Sequence, residues 1–598
     1  MARQPGPAPA ARRGGIVHPR RGLLRGYGQR LAPRRTDRVG RHRPGPAAPR
    51  RSQGTSQAPG RRPRAPERLT RETTHSMNDM TDQMSNERMA DKRTADERTA
   101  DERMADDIAI IGGGAAAVAV LDRLARLPEP GNGRVVVFEP DGSRLWRGRA
   151  YQHDTDSVLV NILPAEMSAT VGDPGAFADW LKRTESPYGG GAWDEDGHFP
   201  PRHVFGSYLE HTAEQAVSSL SLRGRPVTVV HRRVTRVRDA DPLLDVTDDS
   251  GDTWRFGHVI CAVGPGIPAD HYGLTGEEGF LPDPYPLADT LAPIPADTAV
   301  AVIGTGLAAV DTVVSLYRAG HTGPVVMASR NGCLPAIRQR PVHPEIRHFT
   351  PARIHDIAAD GHPIGLEQLT DLLAEELRAH GADPAIALDE LMSAEREDPL
   401  DRLRRQYQEI DHPDTGMRVM QEAVPTTGPD AFPLLHPELQ DYIRENLYRG
   451  IMSLCCPMPP ENARILLDMA DRGQLHVERG LHTVKPRDGG GFLLGADRSE
   501  EADRVVNAVS APAHRIPEAA RAVFTSLTEA EHAEYHPAGG IAVEPATSRA
   551  TVDARPHQRL YAIGDVAGGT LFFTSGMPSI VDRAQDIVNA VSGTGRKG

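Results

Sequence analysis

The sequence predicts an α/β protein made of two βαβ units, the second inserted in the first, with a mainly helical insertion and a disordered N-terminal extension. Three observations predict it. Short apolar runs at 107–111 and 299–303 are each followed by G-x-G-x-x-A and then by a helix pattern. A second apolar run follows each helix, at 134–138 and 324–329. Later apolar runs at 257–263, 503–509 and 558–563 supply return strands for two mostly parallel sheets.

The chain has 598 residues, which at roughly 100–200 residues per domain suggests about three or four domains. Residues 1–72 carry nineteen arginines, no lysine and three acids (Asp37, Glu67, Glu72), a balance of +16. The whole chain is at −12, so residues 73–598 carry −28. An acidic body argues against a nucleic-acid-binding fold, which needs clustered cations to neutralise phosphates. The basic segment is rich in Pro, Gly and Ala and cannot bury enough apolar surface to offset the entropy of ordering. Arg12-Arg13 and Arg20-Arg21 resemble an export signal, but Gly22-Leu23-Leu24 is interrupted at once by Arg25. A nucleic-acid-binding tail and an upstream stretch added by an early start codon both fit. Met77, Met80, Met84, Met89 and Met104 all precede the folded part. Residues 89–107 repeat a five-residue unit, a period that suits neither helix nor strand burial, so a solvated linker is expected.

In the first unit, Gly112 permits the tight turn, Gly114 admits a close-approaching pyrophosphate, and small Ala117 lets the helix pack on the strand. The free N–H groups at the helix start favour phosphate. Glu139, ending the second strand, is placed to accept ribose hydroxyls. In the second unit, Gly304, Gly306 and Ala309 repeat the pattern, and Gly320 is expected to end the helix. Its second strand ends in Ser329-Arg330, where a carboxylate would repel a 2′-phosphate and Ser with Arg would bind one. The expectation is therefore two dinucleotide-binding (Rossmann-like) domains, with FAD in the first and NADPH, rather than NADH, in the second. The alternative for Arg330 is a plain surface charge.

Gly148-Arg-Ala-Tyr151, Asn161-Ile-Leu-Pro-Ala-Glu-Met167-Ser168, Phe177-Ala-Asp-Trp180-Leu181 and Arg202-His-Val-Phe205-Gly-Ser-Tyr208 resemble the bacterial FAD–NAD(P)-binding family, related to the class B flavin monooxygenases and amino-acid N-hydroxylases. The resemblance covers residues 107–340 well, 500–593 moderately and 341–490 loosely. It implies FAD contacts at Asn161, Met167 and Ser168. It implies that Asp565, in Gly564-Asp565, holds the ribityl chain. Thr574-Ser575-Gly576-Met577-Pro578 then starts a C-terminal helix aimed at the flavin, with Ser or Thr as cap. The Baeyer–Villiger signature is not matched, since Phe205-Gly206 and His211 lack its spacing.

The expected layout is an extension (1–106), a first FAD-binding part (107–268), a first NAD(P)H-binding part (269–335), a helical substrate-pocket insertion (336–480), an NAD(P)H-domain return (481–515) and a C-terminal FAD part (516–598). Within the insertion, an amphipathic pattern at 366–377 is expected to continue through 400–403. Arg338 and Arg340 are candidates to hold a substrate carboxylate or the NADPH phosphate, the alternative being exposed loop charges. His343 and His348 are candidates for proton transfer, or structural.

The chemistry that the resemblance implies is hydride transfer from NADPH to FAD, oxygen uptake as a C4a-(hydro)peroxyflavin, and N-hydroxylation of an amine or small amino acid by molecular oxygen. Two rivals stay open: an FAD-dependent NAD(P)H oxidoreductase without oxygen insertion, and a non-catalytic flavoprotein. Cys261, Cys333, Cys455 and Cys456 include no Cys-x-x-Cys pair, which disfavours only a disulfide reductase. No metal constellation is evident. No apolar run reaches the roughly 18 residues of a membrane span, so a soluble cytoplasmic protein is the default.

Overall fold

The computed structural model describes residues 104–188, 199–509, 515–574 and 576–593, all within one compact unit, Gln83–Gly598. The expected disordered extension, apart from its last three residues, and the cap candidate Ser575 lie outside the described residues.

The chain opens with β1 (Ile108–Ile111), α1 (Ala115–Ala125) and β2 (Val135–Phe138). It continues through α2 (Ala176–Arg183), α3 (Arg202–Leu222) and β3 (Val227–Val230). An antiparallel meander of β4 (Val234–Ala240), β5 (Leu243–Asp248) and β6 (Thr253–Phe256) leads into β7 (His258–Cys261). A second set then begins with β8 (Phe280–Leu281), α4 (Leu287–Leu291), β9 (Val300–Ile303), α5 (Leu307–Arg318) and β10 (Val325–Ala328).

Eight helices follow: α6 (Pro351–Ile357), α7 (Leu366–Ala379), α8 (Pro384–Arg396), α9 (Pro399–Gln408), α10 (Gly416–Ala431), α11 (Pro437–Tyr442), α12 (Tyr448–Cys455) and α13 (Pro460–Asp471). Then come β11 (Leu475–Glu478), a second meander of β12 (Thr483–Pro486), β13 (Phe492–Gly495) and β14 (Ser499–Ala502), and β15 (Arg504–Asn507). The chain ends with α14 (Arg521–Glu529), β16 (Arg549–Val552), β17 (Arg555–Ala562), α15 (Gly568–Leu571) and α16 (Met577–Val591).

Six strands form the first sheet in the order β16-β17-β7-β1-β2-β3, parallel except for β16 on β17. Five form the second, β11-β10-β9-β15-β8, all parallel. The second sheet is nested in the chain between β7 and β16 of the first. β1, β2, β9 and β10 are buried at every position, which is why they read as unbroken Ile/Val runs rather than as alternation. On one face of the first sheet lie α1, α3 and α16, through Val118, Leu121, Leu209 and Ile587; on the other lie the first meander and α14, through Val246, Phe256 and Phe524. The second sheet repeats this plan. Val310 and Val313 of α5 and Leu466 of α13 cover one face, and Phe492 and Leu494 of the second meander the other. Neither meander was anticipated from the sequence.

The helical layer has its own core around Leu377, Val419, Met420, Phe432 and Leu439. Phe572, from the segment before α16, enters this core and stacks on Phe432 at 4.4 Å. The amphipathic pattern of α7 does not run on to residue 403. Gly381 turns left-handed at φ +75°, and Asp383 and Asp398 cap two new helices that open on Pro384 and Pro399. The expected end of α5 is observed, with Gly320 at φ +82° just past its last turn. At α16 the expected early proline, Pro578, is present. The cap is Gly576, with no side-chain hydrogen bond.

Candidate cofactor and substrate site

Gly112 follows β1 at φ +104°, and a Cβ there would lie 2.3 Å from the Ala262 carbonyl oxygen. Only glycine fits that turn. Gly114 caps α1 without a side chain, so the first-turn N–H groups stay open, while Ala117 is fully buried beneath them. Glu139 sits beside this loop. Its Oε2 accepts the Gly113 N–H at 2.9 Å and its Oε1 the Asp141 N–H at 3.1 Å. The carboxyl group of Asp565 is raised above the usual range by burial, opposed by the Thr574 hydroxyl, which donates to Oδ1 at 3.2 Å. An uncapped helix start, a side-chain-free cradle and two separate carboxylates match the pyrophosphate, ribose and hydroxylated chain of FAD.

Not every expected FAD contact faces such a site. Met167 belongs to the core of the first sheet. Ser168 is buried, with Oγ accepting the Thr170 N–H at 2.9 Å and lying 3.3 Å from the Tyr208 hydroxyl. Asn161 contributes its main chain, whose carbonyl accepts from Arg338 Nη2 at 2.8 Å.

The second loop repeats the first. Gly304 has φ +114°, with a Cβ position 2.7 Å from the Ala508 carbonyl oxygen; Gly306 caps α5 without a side chain, and Ala309 is fully buried. Ser329 Oγ lies 3.0 Å from Thr305 Oγ1 and accepts the Gly332 N–H at 2.9 Å. Ser329 thus braces the loop, and Arg330 beside it is exposed.

Arg338 and Arg340 part company. The segment carrying them runs between helices, buried from Leu334 to Gln339, with a single bridge from Ile337 to Met458. Ile337 N donates to Gln406 Oε1 of α9, Gln339 N to Gln421 Oε1 of α10, and Arg338 N to the Met458 carbonyl. Arg338 is 9% exposed and, among the described residues, its Nε has no hydrogen-bond partner. Arg340 instead forms a surface ion pair with Asp411 at 2.5 Å. Arg340 is thus paired at the surface, whereas Arg338 is buried.

A cleft opens beside Arg338, lined also by Glu166, His343, Arg418, Gln421 and Glu422. Glu166 is held above the usual carboxylate range, chiefly by burial. Its Oε1 makes no hydrogen bond and lies 3.6 Å from His343 Nδ1. His343 is 69% exposed at the mouth, and His348 pairs with Glu375 away from this lining. Glu166, Arg418 and Glu422 were not anticipated as site residues. For Glu166 the available signal was the lone charged residue in the mostly apolar stretch 160–169.

One metal-ligating group comes together among the described residues, Asp239, His532 and His557, where the sequence suggested none. Each of the three residues already has a hydrogen-bond or ion-pair partner. His532 Nε2 accepts the Asp239 N–H at 3.3 Å, His557 Nδ1 the Arg559 N–H at 3.1 Å, and Arg559 lies 3.3 Å from Asp239 Oδ1. No described helix is long and apolar enough to cross a membrane.

The chain thus holds two nested sheets, each with a glycine loop of the dinucleotide-binding kind, and residues 109–266 match the family model described as FAD-NAD(P)-binding. Among solved structures, the chain is similar to an ornithine N-hydroxylase from Kutzneria sp. 744 at 15% identity (82% of this chain, 99% of that one, TM-score 0.49). It is similar to L-lysine 6-monooxygenase from Pseudomonas syringae at 15% identity (81% and 99%, TM-score 0.49). It is also similar to a bacillithiol disulfide reductase from Bacillus cereus at 12% identity (82% and 99%, TM-score 0.42). No curated protein sequence matches the chain.

Proposed function

We propose that this protein is an FAD-dependent, NADPH-using monooxygenase that N-hydroxylates an amine or small amino acid in the cytoplasm. The observation that carries the proposal is the pair of nested glycine loops, one beside Glu139 and one beside Ser329-Arg330, in a chain that also walls a charged cleft with its helical layer. Gly112, Gly114, Glu139, Asp565 and Thr574 would hold FAD. Gly304, Gly306 and Arg330 would hold NADPH, with Ser329 bracing the loop. Bound FAD supplies hydride acceptance from NADPH and activation of dioxygen for transfer to nitrogen.

The chain's own work is positioning and proton handling. An amine attacks oxygen only with its lone pair free, so its ammonium proton must leave. Glu166 Oε1, whose raised pKa suits it to accept a proton nearer neutral pH, is placed to take it, with His343 Nδ1 next in line. A disulfide reductase is disfavoured by the thiols. Burial pushes Cys456 up to about 11, Cys261 up to about 12 and Cys455 well up, which leaves little nucleophilic thiolate.

The test is to purify the protein with FAD and follow NADPH oxidation, oxygen uptake and hydroxylamine formation with candidate amines. Hydroxylamine formed in step with amine-stimulated oxygen uptake is expected. Oxygen uptake that no amine changes, with no hydroxylamine, would overturn the monooxygenase proposal, and inability to take up FAD would overturn the flavoprotein proposal.

A further inference from the structure

The chain between Asp565 and Thr574 is short and strained. It runs through α15 to Phe572, at φ +64° and ψ −58°. The Phe573 N–H donates to the Leu571 carbonyl at 2.8 Å, closing a three-residue turn around Phe572. These angles lie near the roughly +75°, −65° of the strained γ-turn. Glycine enters positive φ freely, whereas a side chain resists it. A phenylalanine in such a turn persists only where its surroundings over-determine it.

Those surroundings come from the helical layer. Phe572 is buried, stacks on Phe432 at 4.4 Å and makes a T-shaped contact with Tyr448 at 5.7 Å. Phe573 rests on Gly428 of α10, where a Cβ would lie 2.6 Å from its Cε2. Arg444 Nη2 donates to the Gly569 carbonyl at 2.6 Å. All four partners belong to the helical insertion, and α10 also carries Arg418, Gln421 and Glu422 of the cleft lining. Two residues past the turn, the Thr574 hydroxyl donates to Asp565 Oδ1 at 3.2 Å. Relaxing Phe572 to an ordinary φ would redirect the chain and draw Thr574 away from Asp565.

We infer that Phe572 is a positioning residue: clamped by the helical layer, it holds the strained turn that sets Thr574 against Asp565, so that FAD affinity is set in part by that layer. This rests on the flavoprotein reading, and not on the monooxygenase reading. Side chain and backbone make opposite demands at this position, which separates two roles. If Phe572 acts only as packed apolar surface, glycine there is at least as harmful as alanine. If it acts by holding the turn, glycine is the milder change, because it adopts the turn without a clamp.

The test dilutes the FAD-loaded protein in series and reads released flavin by its fluorescence, giving a Kd for each variant. Phe572→Ala is expected to weaken FAD by about tenfold or more, and Phe572→Gly by about threefold at most. Phe432→Ala removes the stacking partner and leaves residue 572 in place. It is expected to weaken FAD by about fivefold or more. Glycine as harmful as alanine, or alanine without effect, overturns the inference and leaves Phe572 a packed side chain. If Phe572→Ala fails to fold, Phe432→Ala carries the test, and unchanged FAD affinity in it overturns the inference. A parent protein that takes up no FAD overturns the flavoprotein reading and this inference with it. A parent that binds FAD while glycine matches alanine overturns this inference alone.

Discussion

Arg202 Nη2 lies 3.0 Å from Asp311 Oδ2, and the pair joins the start of α3, on the first sheet, to the middle of α5, on the second. Tyr285 completes the junction by donating to the same Asp311 oxygen at 2.5 Å and accepting from Arg202 Nη1 at 3.2 Å. Asp311 is 2% exposed, so losing its partner strands a charge. Arg202→Met alone is expected to cost about 3–5 kcal/mol in urea unfolding, whereas Arg202→Met, Asp311→Leu and Tyr285→Phe together should recover most of it. A cost below about 1 kcal/mol for the single variant would mean that water screens the pair.

Glu376 anchors the helical layer through one oxygen. Its Oε2 accepts the N–H groups of Arg347, His348 and Phe349 at 2.9, 2.5 and 2.9 Å, and Oε1 meets His380 Nε2 at 3.0 Å. Burial alone would raise its pKa, but these donors outweigh it and hold the carboxyl below its ordinary value of 4.5. A depressed carboxylate stabilises the fold above its unfolded pKa and loses that contribution as pH falls through the folded value. Glu376→Gln is therefore expected to lower stability by roughly 2–3 kcal/mol at neutral pH. The gap from the parent protein should narrow as unfolding is repeated below pH 4.5. A gap that stays constant with pH would show that shape, not charge, holds the segment.

The two glycine loops make separable predictions. An alanine at Gly112 or Gly304 meets a carbonyl oxygen and a left-handed φ at once. Strain of this kind costs on the order of 1–3 kcal/mol, equivalent to a loss of affinity of about five- to 140-fold. Gly112→Ala should come off the column with little flavin absorbance. Gly304→Ala should keep its flavin and show a raised KM for NADPH. The reverse pattern would exchange the two cofactor assignments.

Where local physics was sufficient, the fold was legible from sequence. Gly112 and Gly304 sit where backbone crowds backbone, and the four strands around them are buried on both faces, so composition and spacing alone marked them. The break after α7 was also written locally, in Gly381 and in the Asp-Pro starts of the next two helices, but the continuing apolar period obscured it. Most meander strands mix buried with exposed polar residues, so they lack the unbroken apolar run that marks the parallel strands. Arg338 and Arg340 lie two residues apart with similar neighbours. Their different fates depend on Gln406, Gln421 and Met458, supplied by later parts of the helical insertion. Glu166 became visible only once Arg338 was placed opposite it.

Nicotinamide preference gives the sharpest test of the second loop. Ser329 has its hydroxyl committed to Thr305 and Gly332, so in the proposed NADPH site discrimination at the 2′-position would fall to Arg330, which is exposed at the end of β10. Burial raises the pKa of Tyr272, in the loop before β8, and the Arg330 charge opposes that rise. A hydrogen bond from this cation to a 2′-phosphate is worth about 1.5–3 kcal/mol. Arg330→Glu removes that bond and adds repulsion. The ratio of kcat/KM for NADPH over NADH should fall by about 100-fold, since each 1.4 kcal/mol is tenfold. The loss should appear in KM for NADPH, with NADH nearly untouched and the flavin spectrum unchanged. An unchanged ratio would make Arg330 a surface charge and send the search for the phosphate reader to other cations around this loop.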